Sequence, residues 1–312
     1  MTDNGKPLFK KLALIGVGLI GSSIARAARN HGLVGEIVGS ARTKETRRVA
    51  LELKLVDHAY ENAREAVKDA DLIILCTPIG TYESIAKEIQ DVLSPGAIVT
   101  DVGSVKQKAV EAIEPHIPNG VHFIAGHPVA GSEKSGPAAG YAELFENRWC
   151  ILTPSEKSDE AAVEKLSEFW ATLGSNVEKM DPKHHDLVLA ITSHVPHLIA
   201  YNIVGTADDL EEVTRSEVIK YSAGGFRDFT RIAASDPTMW RDVFLNNKEA
   251  VLEMLGRFTE DLSALQRSIR WDDGDALFEM FSRTRAIRRQ IIDAGQETAE
   301  PDFGRSASTD EK

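Results

Sequence analysis

From Lys11 to about residue 180, short apolar runs alternate with stretches in which apolar positions recur every three or four residues. The apolar runs predict strands at 11–17, Glu36–Ala41, Asp71–Pro78, Ala97–Val102, His122–Ala125, Trp149–Pro154 and Asn176–Met180. The amphipathic stretches between them predict helices at 44–53, 80–92, 104–114 and 159–173. Such strands, joined by helices, imply an α/β fold with a doubly wound, mostly parallel sheet. After Asp181-Pro182 the strand signals stop, and helical patterns fill 183–206, 208–222, 237–270 and 273–294. Asp181 suits the N-cap and Pro182 the first helical position there. The chain therefore reads as an α/β domain over 9–181, an all-helical domain over 182–295, and a small charged tail, 296–312, expected to be disordered.

The first predicted strand runs straight into Gly16-Val17-Gly18-Leu19-Ile20-Gly21, and Ser22 to Asn30 continues as a helix. In that setting Gly-x-Gly-x-x-Gly is the fingerprint of a Rossmann-type, dinucleotide-binding turn. Gly16 permits the tight turn, Gly18 lets backbone approach a pyrophosphate, and Gly21 brings helix close to strand. Unpaired N–H groups of Leu19, Ile20 and Gly21 then face the phosphates. Thr77 and Pro78, ending a later strand, are expected to line the same cofactor. The second strand ends Ser40-Ala41-Arg42-Thr43, without the acid that usually holds a ribose 2′-hydroxyl. Ser40, Arg42 and Thr43 suit a 2′-phosphate instead, so the expected cofactor is NAD(P) with a lean to NADP.

A length of 312 residues exceeds one hydrophobic core, in keeping with two domains. Acidic residues outnumber basic ones, 48 to 36, and the net charge of −12 argues against nucleic acid or an anionic membrane as partner. An anionic substrate must be drawn in by a local basic cluster. Cys76 and Cys150 are too few for a disulfide framework and read as small core residues. The polar start, Met1 to Lys11, carries no apolar signal segment, and no apolar run is expected to span a membrane, so a cytoplasmic protein is expected.

Four further segments fall at strand ends or in the helical region. Ser104 and Gln107, in Asp101-Val102-Gly103-Ser104-Val105-Lys106-Gln107, fit a capping box, and Ser104 would also sit beside a bound nicotinamide. In Gly126-His127-Pro128, the proline keeps His127 extended at a strand end, and a glycine-rich loop follows. A histidine there is a candidate general base. Within Ser193-His194-Val195-Pro196-His197, Pro196 should kink the helix by clashing with the Thr192 carbonyl. His184, His185 and His197 lack a completing carboxylate or cysteine, so no metal is expected. Finally, Gly224-Gly225-Phe226-Arg227-Asp228-Phe229-Thr230-Arg231 sets Arg227 and Arg231 one helical turn apart, able to hold a carboxylate.

Taken together, these segments resemble the prephenate and arogenate (cyclohexadienyl) dehydrogenases of tyrosine biosynthesis, over Leu12 to about Gln290. The resemblance implies NAD(P)-dependent oxidative decarboxylation of prephenate and/or arogenate. It implies that His127 accepts the proton of the substrate 4-hydroxyl and that Ser104 orients His127 and the cofactor. Arg231 would pair with a substrate carboxylate, and His197 would line the site. Ser132 and Glu133 would face the end where prephenate and arogenate differ. Arg227, Asp228 and Trp240 match supporting positions. A homodimer is expected, because the helical domain would bury its apolar stripes against a twin. Tyrosine, as a feedback inhibitor, would have to act at the active site. Rival readings are another two-domain NAD(P) reductase of the hydroxyacid or imine type, and a non-catalytic nucleotide-sensing dimer.

Overall fold

The computed structural model describes residues 6–131, 134–209, 217 and 220–292. Strands β1 (Phe9–Ile15), β2 (Val34–Ser40), β3 (His58–Tyr60), β4 (Leu72–Leu75), β5 (Ile98–Asp101) and β6 (His122–Phe123) form one sheet, ordered β3-β2-β1-β4-β5-β6, with every neighbouring pair parallel. The strand order reverses beside β1, which opens a crevice at the carboxyl ends of β1 and β4. Helices α1 (Leu19–Asn30), α2 (Lys44–Glu52), α3 (Ala63–Ala66), α4 (Tyr82–Ile89) and α5 (Lys106–Ile113) make the crossovers.

Both faces of this sheet are buried, which is why its strands read as unbroken apolar runs. Leu12, Leu14, Ile37, Leu72 and Ile74 pack with Ile24 of α1 on one face. Ala13, Ile15, Ile73, Leu75 and Val99 pack with Tyr82 and Ile89 of α4 and Ala109 of α5 on the other. Burial of each larger aliphatic side chain contributes about 1.5–3 kcal/mol.

Two expectations are corrected here. The three-residue β3 escaped the sequence pattern, being too short to show a period. The single strand expected at His122–Ala125 is two: β6 closes the parallel sheet, and the chain passes into β7 (Ala125–Pro128) of a second, three-stranded sheet. There β8 (Trp149–Thr153) runs antiparallel to β7 and parallel to β9 (Asn176–Lys179), with α6 (Glu160–Thr172) between β8 and β9. That switch displays His127, whose register partner is Ile151.

The helical region opens as read. The Asp181 carboxylate caps α7 (Pro182–Leu189) by accepting from the Lys183 and His184 amides. A π-helical turn, Ala190–His194, separates α7 from α8 (Val195–Asp208), so Pro196 falls in the first turn of a fresh helix. The expected break thus occurs as a wider turn before the proline, where its missing N–H costs little. The segment Pro182–Asp208 is also long and apolar enough, by composition, to cross a membrane, contrary to expectation. Within it His185, Asp186 and His194 are buried.

Next come α9 (Gly224–Thr230), a 3-10 turn at Arg231–Ala234, and α10 (Pro237–Asn246). The helix expected over 208–222 lies largely outside the described residues, as does the tail. The helix expected over 237–270 is two, α10 and α11 (Lys248–Arg270), because Asn247 leaves helical geometry and turns its amide inward. Helix α12 (Gly274–Ile291) follows, capped by Asp273. The chain forms two compact units, Met1–Leu252 and Glu253–Lys312. The second unit exposes Leu262, Ile269, Trp271, Phe278, Phe281 and Ile287.

Candidate active site

The glycine turn has the shape a dinucleotide needs. Gly16 sits at φ +100°, and a Cβ there would lie 2.9 Å from the Cys76 carbonyl oxygen and from Thr77 Cγ2. A Cβ on Gly21 would collide with the Gly16 carbonyl oxygen, whereas one at Gly18 would meet open space. Gly18 is the N-cap of α1 and no side chain caps it, so the first amides of a twelve-residue helix, from Leu19 and Ile20 onward, are left for an anion. Residues and geometry therefore fit a dinucleotide pyrophosphate.

At the end of β2, Ser40 is buried, and its carbonyl accepts from the Gly16 amide at 2.9 Å. Arg42 and Thr43 are exposed, and Thr43 Oγ1 caps α2 by accepting from the Thr46 amide. Beyond β4, Thr77 abuts the Gly16 turn and shares a hydrogen bond with Thr81, whose amide donates to the Pro78 carbonyl.

One turn of sheet away, a buried polar cluster joins the two sheets to the first helix of the helical region. His127, on β7, retains 8% exposure, and its Nδ1 lies 2.8 Å from Nε2 of His185 on α7. Nδ1 of His185 in turn lies 2.8 Å from Oδ1 of Asp186. The Asp186 carboxylate accepts from the Lys106 amide at 2.7 Å and the Gln107 amide at 2.9 Å. It thereby caps α5 from eighty residues away in sequence, with the helix dipole favouring its negative charge. Here the structure corrects the expected capping box: the N-cap position is Val105, and Ser104 makes no cap hydrogen bond. Ser104 is half-buried in the turn leading to α5. Among the described contacts, His185 holds His127 Nδ1.

Lys106 is fully buried, unusually for lysine, and its ammonium donates at 2.5 Å to Asp101 Oδ2 and to the Gly126 carbonyl. Asp101 also accepts from the amides of Gly103 and Gly126. The pair fixes the end of β5, the start of α5 and the residue before His127 as one block. Burial, then the proximity of His185 and of the Lys106 ammonium, pushes the His127 pKa well below the ordinary imidazole value, so the ring is neutral at pH 7.

The helical region supplies the opposite side. Buried His194, from the π-helical turn, faces Nδ2 of Asn247 at 3.1 Å, and Asn247 also donates to the Asp186 carbonyl. Burial drops the His194 pKa to about 4. His197 stacks on Trp240, with ring centroids 3.7 Å apart, and its Nδ1–H donates to the Ser193 carbonyl. Burial lowers the His197 pKa, and the charge of Arg231 lowers it further. Arg231 lies just past the end of α9, exposed, as are Arg227 and Asp228 within it.

The structure brings His197, Trp240 and Arg231 together, and His194, edge-on to Trp240, links that group to His127. Ser132 and Glu133 lie outside the described residues. Asp186 and Asn247 are not singled out in the sequence, and His185 is weighed there only as a metal ligand. The adjacent His185-Asp186 pair, one turn into a capped helix, was the available signal. Among the described residues no cluster of His, Cys, Asp or Glu could hold a metal.

The family model for the prephenate dehydrogenase nucleotide-binding domain matches residues 24–179, and that for its dimerization domain matches 181–283. The chain is 38% identical to a cyclohexadienyl dehydrogenase of Zymomonas mobilis over 281 residues, covering 90% of this chain and 96% of that one. It is 35% identical to a prephenate dehydrogenase of Bacillus subtilis, covering 89% and 75%. The solved prephenate dehydrogenase from A. aeolicus, in complex with hydroxyphenyl propionate and NAD+, superposes with a TM-score of 0.83 at 36% identity, over 90% of this chain and 98% of that one. The arogenate dehydrogenase of Synechocystis gives 0.73 at 28% identity, over 90% and 99%.

Proposed function

The chain belongs to the prephenate dehydrogenase family, and we propose how its site carries out NAD(P)-dependent oxidative decarboxylation of prephenate and/or arogenate. The observation that carries the reading is a neutral imidazole, His127, held on β7 by His185 and linked through His194 to the His197–Trp240 stack beside Arg231. A bound nicotinamide would supply the acceptor for a hydride from the ring carbon bearing the hydroxyl.

His127 takes the hydroxyl proton as that carbon becomes a carbonyl. The ring carboxylate then leaves as CO2, its bonding electrons pass into the ring, and the phenolic oxygen regains a proton from His127. Aromatisation provides the thermodynamic drive, so the protein chiefly positions and supplies a base. Arg231 pairs with a substrate carboxylate, the His197–Trp240 stack lines the ring, and Ser104 lies beside the nicotinamide. Arg227 and Asp228 support the Arg231 turn. Ser132 and Glu133, outside the described residues, are assigned the task of distinguishing a ketone from an amine on the substrate side chain. Gly16, Gly18, Gly21, Thr77 and Pro78 cradle the cofactor.

NADP is the preferred form in this reading, because the end of β2 offers Ser40, exposed Arg42 and Thr43 and no acid. Residues 9–181 bind dinucleotide, and 182–295 bind substrate and pair two copies, in keeping with the dimerization model over 181–283. Tyrosine, carrying the product ring, would inhibit by competing at this site. Two free, shielded cysteines suit a reducing compartment such as the cytoplasm.

Purified protein incubated with prephenate or with arogenate, each with NAD+ and with NADP+, tests this by the absorbance of the reduced nicotinamide. Reduction with at least one acid is expected. Silence with both overturns the function, and a large preference for NAD+ overturns the NADP assignment.

A further inference from the structure

The buried chain of contacts from Asp186 through His185 to His127 leaves little freedom in where its protons sit. We propose that His185 and Asp186 are positioning residues that lock His127 in the tautomer with hydrogen on Nδ1, so that Nε2 offers a bare lone pair to the substrate hydroxyl. This rests on the reading of His127 as the base.

The assignment starts at the Asp186 end. Its two oxygens accept from the Lys106 and Gln107 amides at the start of an eight-residue helix, an arrangement that favours the carboxylate anion. A carboxylate only accepts, so the 2.8 Å contact to His185 Nδ1 requires the hydrogen on that nitrogen. A neutral His185 then has a bare Nε2, which only accepts. The hydrogen in the 2.8 Å contact to His127 must therefore be on His127 Nδ1. Among the described residues nothing bonds to His127 Nε2, which is left for substrate.

A doubly protonated His185 would reverse the last step. Burial and the nearby Lys106 ammonium oppose it, outweighing the attraction of Asp186 and Asp101. His194, whose charge would act on His127, is also neutral near pH 7, its pKa held at about 4 mainly by burial. The relay is thus one anion, two neutral rings and two shared hydrogens. It is pinned to the helix of Lys106, whose ammonium also grips the carbonyl next to His127.

The tautomer is read directly by long-range 15N–1H NMR of histidine rings in the full-length protein at pH 7. A His127 signal of the Nδ1–H form is expected, and the Nε2–H form in the wild-type protein would overturn the proposal. In Asp186→Asn, with the NH2 in the place of Oδ1 and facing His185, the oxygen keeps the Gln107 amide while the Lys106 cap bond is lost. Both rings should then flip, with hydrogen moving to His127 Nε2. Turnover should fall on the order of 10²–10⁴-fold with substrate KM within a few-fold. Undiminished kcat in that variant would equally overturn the proposal.

His185→Gln provides the complement, since its side-chain oxygen accepts from His127 Nδ1–H as the imidazole did. It should keep kcat within roughly tenfold of wild type, while His185→Leu loses as much as Asp186→Asn. A merely structural role predicts equal losses from Gln and Leu. Should Asp186→Asn fail to fold, the wild-type spectrum and the His185 pair still decide. Unchanged turnover in His127→Asn would remove His127 as base but leave the NMR assignment standing, so the two failures are distinguishable.

Discussion

Lys106→Met isolates the block behind the catalytic histidine. Methionine keeps the shape and apolar stem of the lysine but removes its ammonium, leaving the Asp101 carboxylate fully buried with the neutral Gly103 and Gly126 amides and the nearby Tyr82 hydroxyl as donors. Stranding one partner of a buried ion pair costs about 3–5 kcal/mol. Protonation sets a ceiling of similar size, because holding an ordinary carboxylate neutral at pH 7 costs about 4 kcal/mol. With a total stability of roughly 5–15 kcal/mol, the urea midpoint should drop by about 1–2 M at pH 7. Asp101→Asn added to Lys106→Met should recover at least 1 kcal/mol or so, since no charge is then left buried. Tryptophan fluorescence reports the melts, Trp170 being fully buried. A loss below about 1 kcal/mol for the single variant, or a double variant no better than the single, would refute the reasoning.

Four other outcomes are expected. His127→Asn should depress kcat by on the order of a hundredfold or more with KM nearly kept, measured by steady-state kinetics. Arg231→Ala should chiefly raise substrate KM, by roughly 10–150-fold for a charge-assisted pair of about 1.5–3 kcal/mol. Stability should fall with acid: His194 binds its proton at about pH 4 folded and near 6.5 unfolded, so the unfolded chain takes up protons first as pH drops. About 3 kcal/mol should be lost between pH 6.5 and 4, as read by urea melts, and less so in His194→Gln. Gly18→Ala should fold normally yet bind dinucleotide more weakly, whereas Gly21→Ala should lose both, because its Cβ would strike the Gly16 carbonyl. Circular dichroism with cofactor titration separates the two.

Local patterns decided much of this protein by themselves. A strand buried on both faces needs an apolar residue at nearly every position, so β1, β4 and β5 announced themselves and their parallel pairing together. Gly16, Gly18 and Gly21 marked the cofactor turn because each answers a separate steric demand within six residues. Asp181 capping α7 and the break before Pro196 are likewise short-range matters of backbone hydrogen bonds. The tertiary structure decided what depends on distance. No local rule says that the chain leaves one sheet after β6 to begin another, which is what places His127. Nor could Ser104 and Gln107 reveal that the α5 cap comes from Asp186, or that Asn247 breaks a long helix to reach the Asp186 carbonyl. A buried charge is tolerated only where its partners converge, and His185, Asp186, Lys106 and Asp101 meet only after sheet and helices have packed.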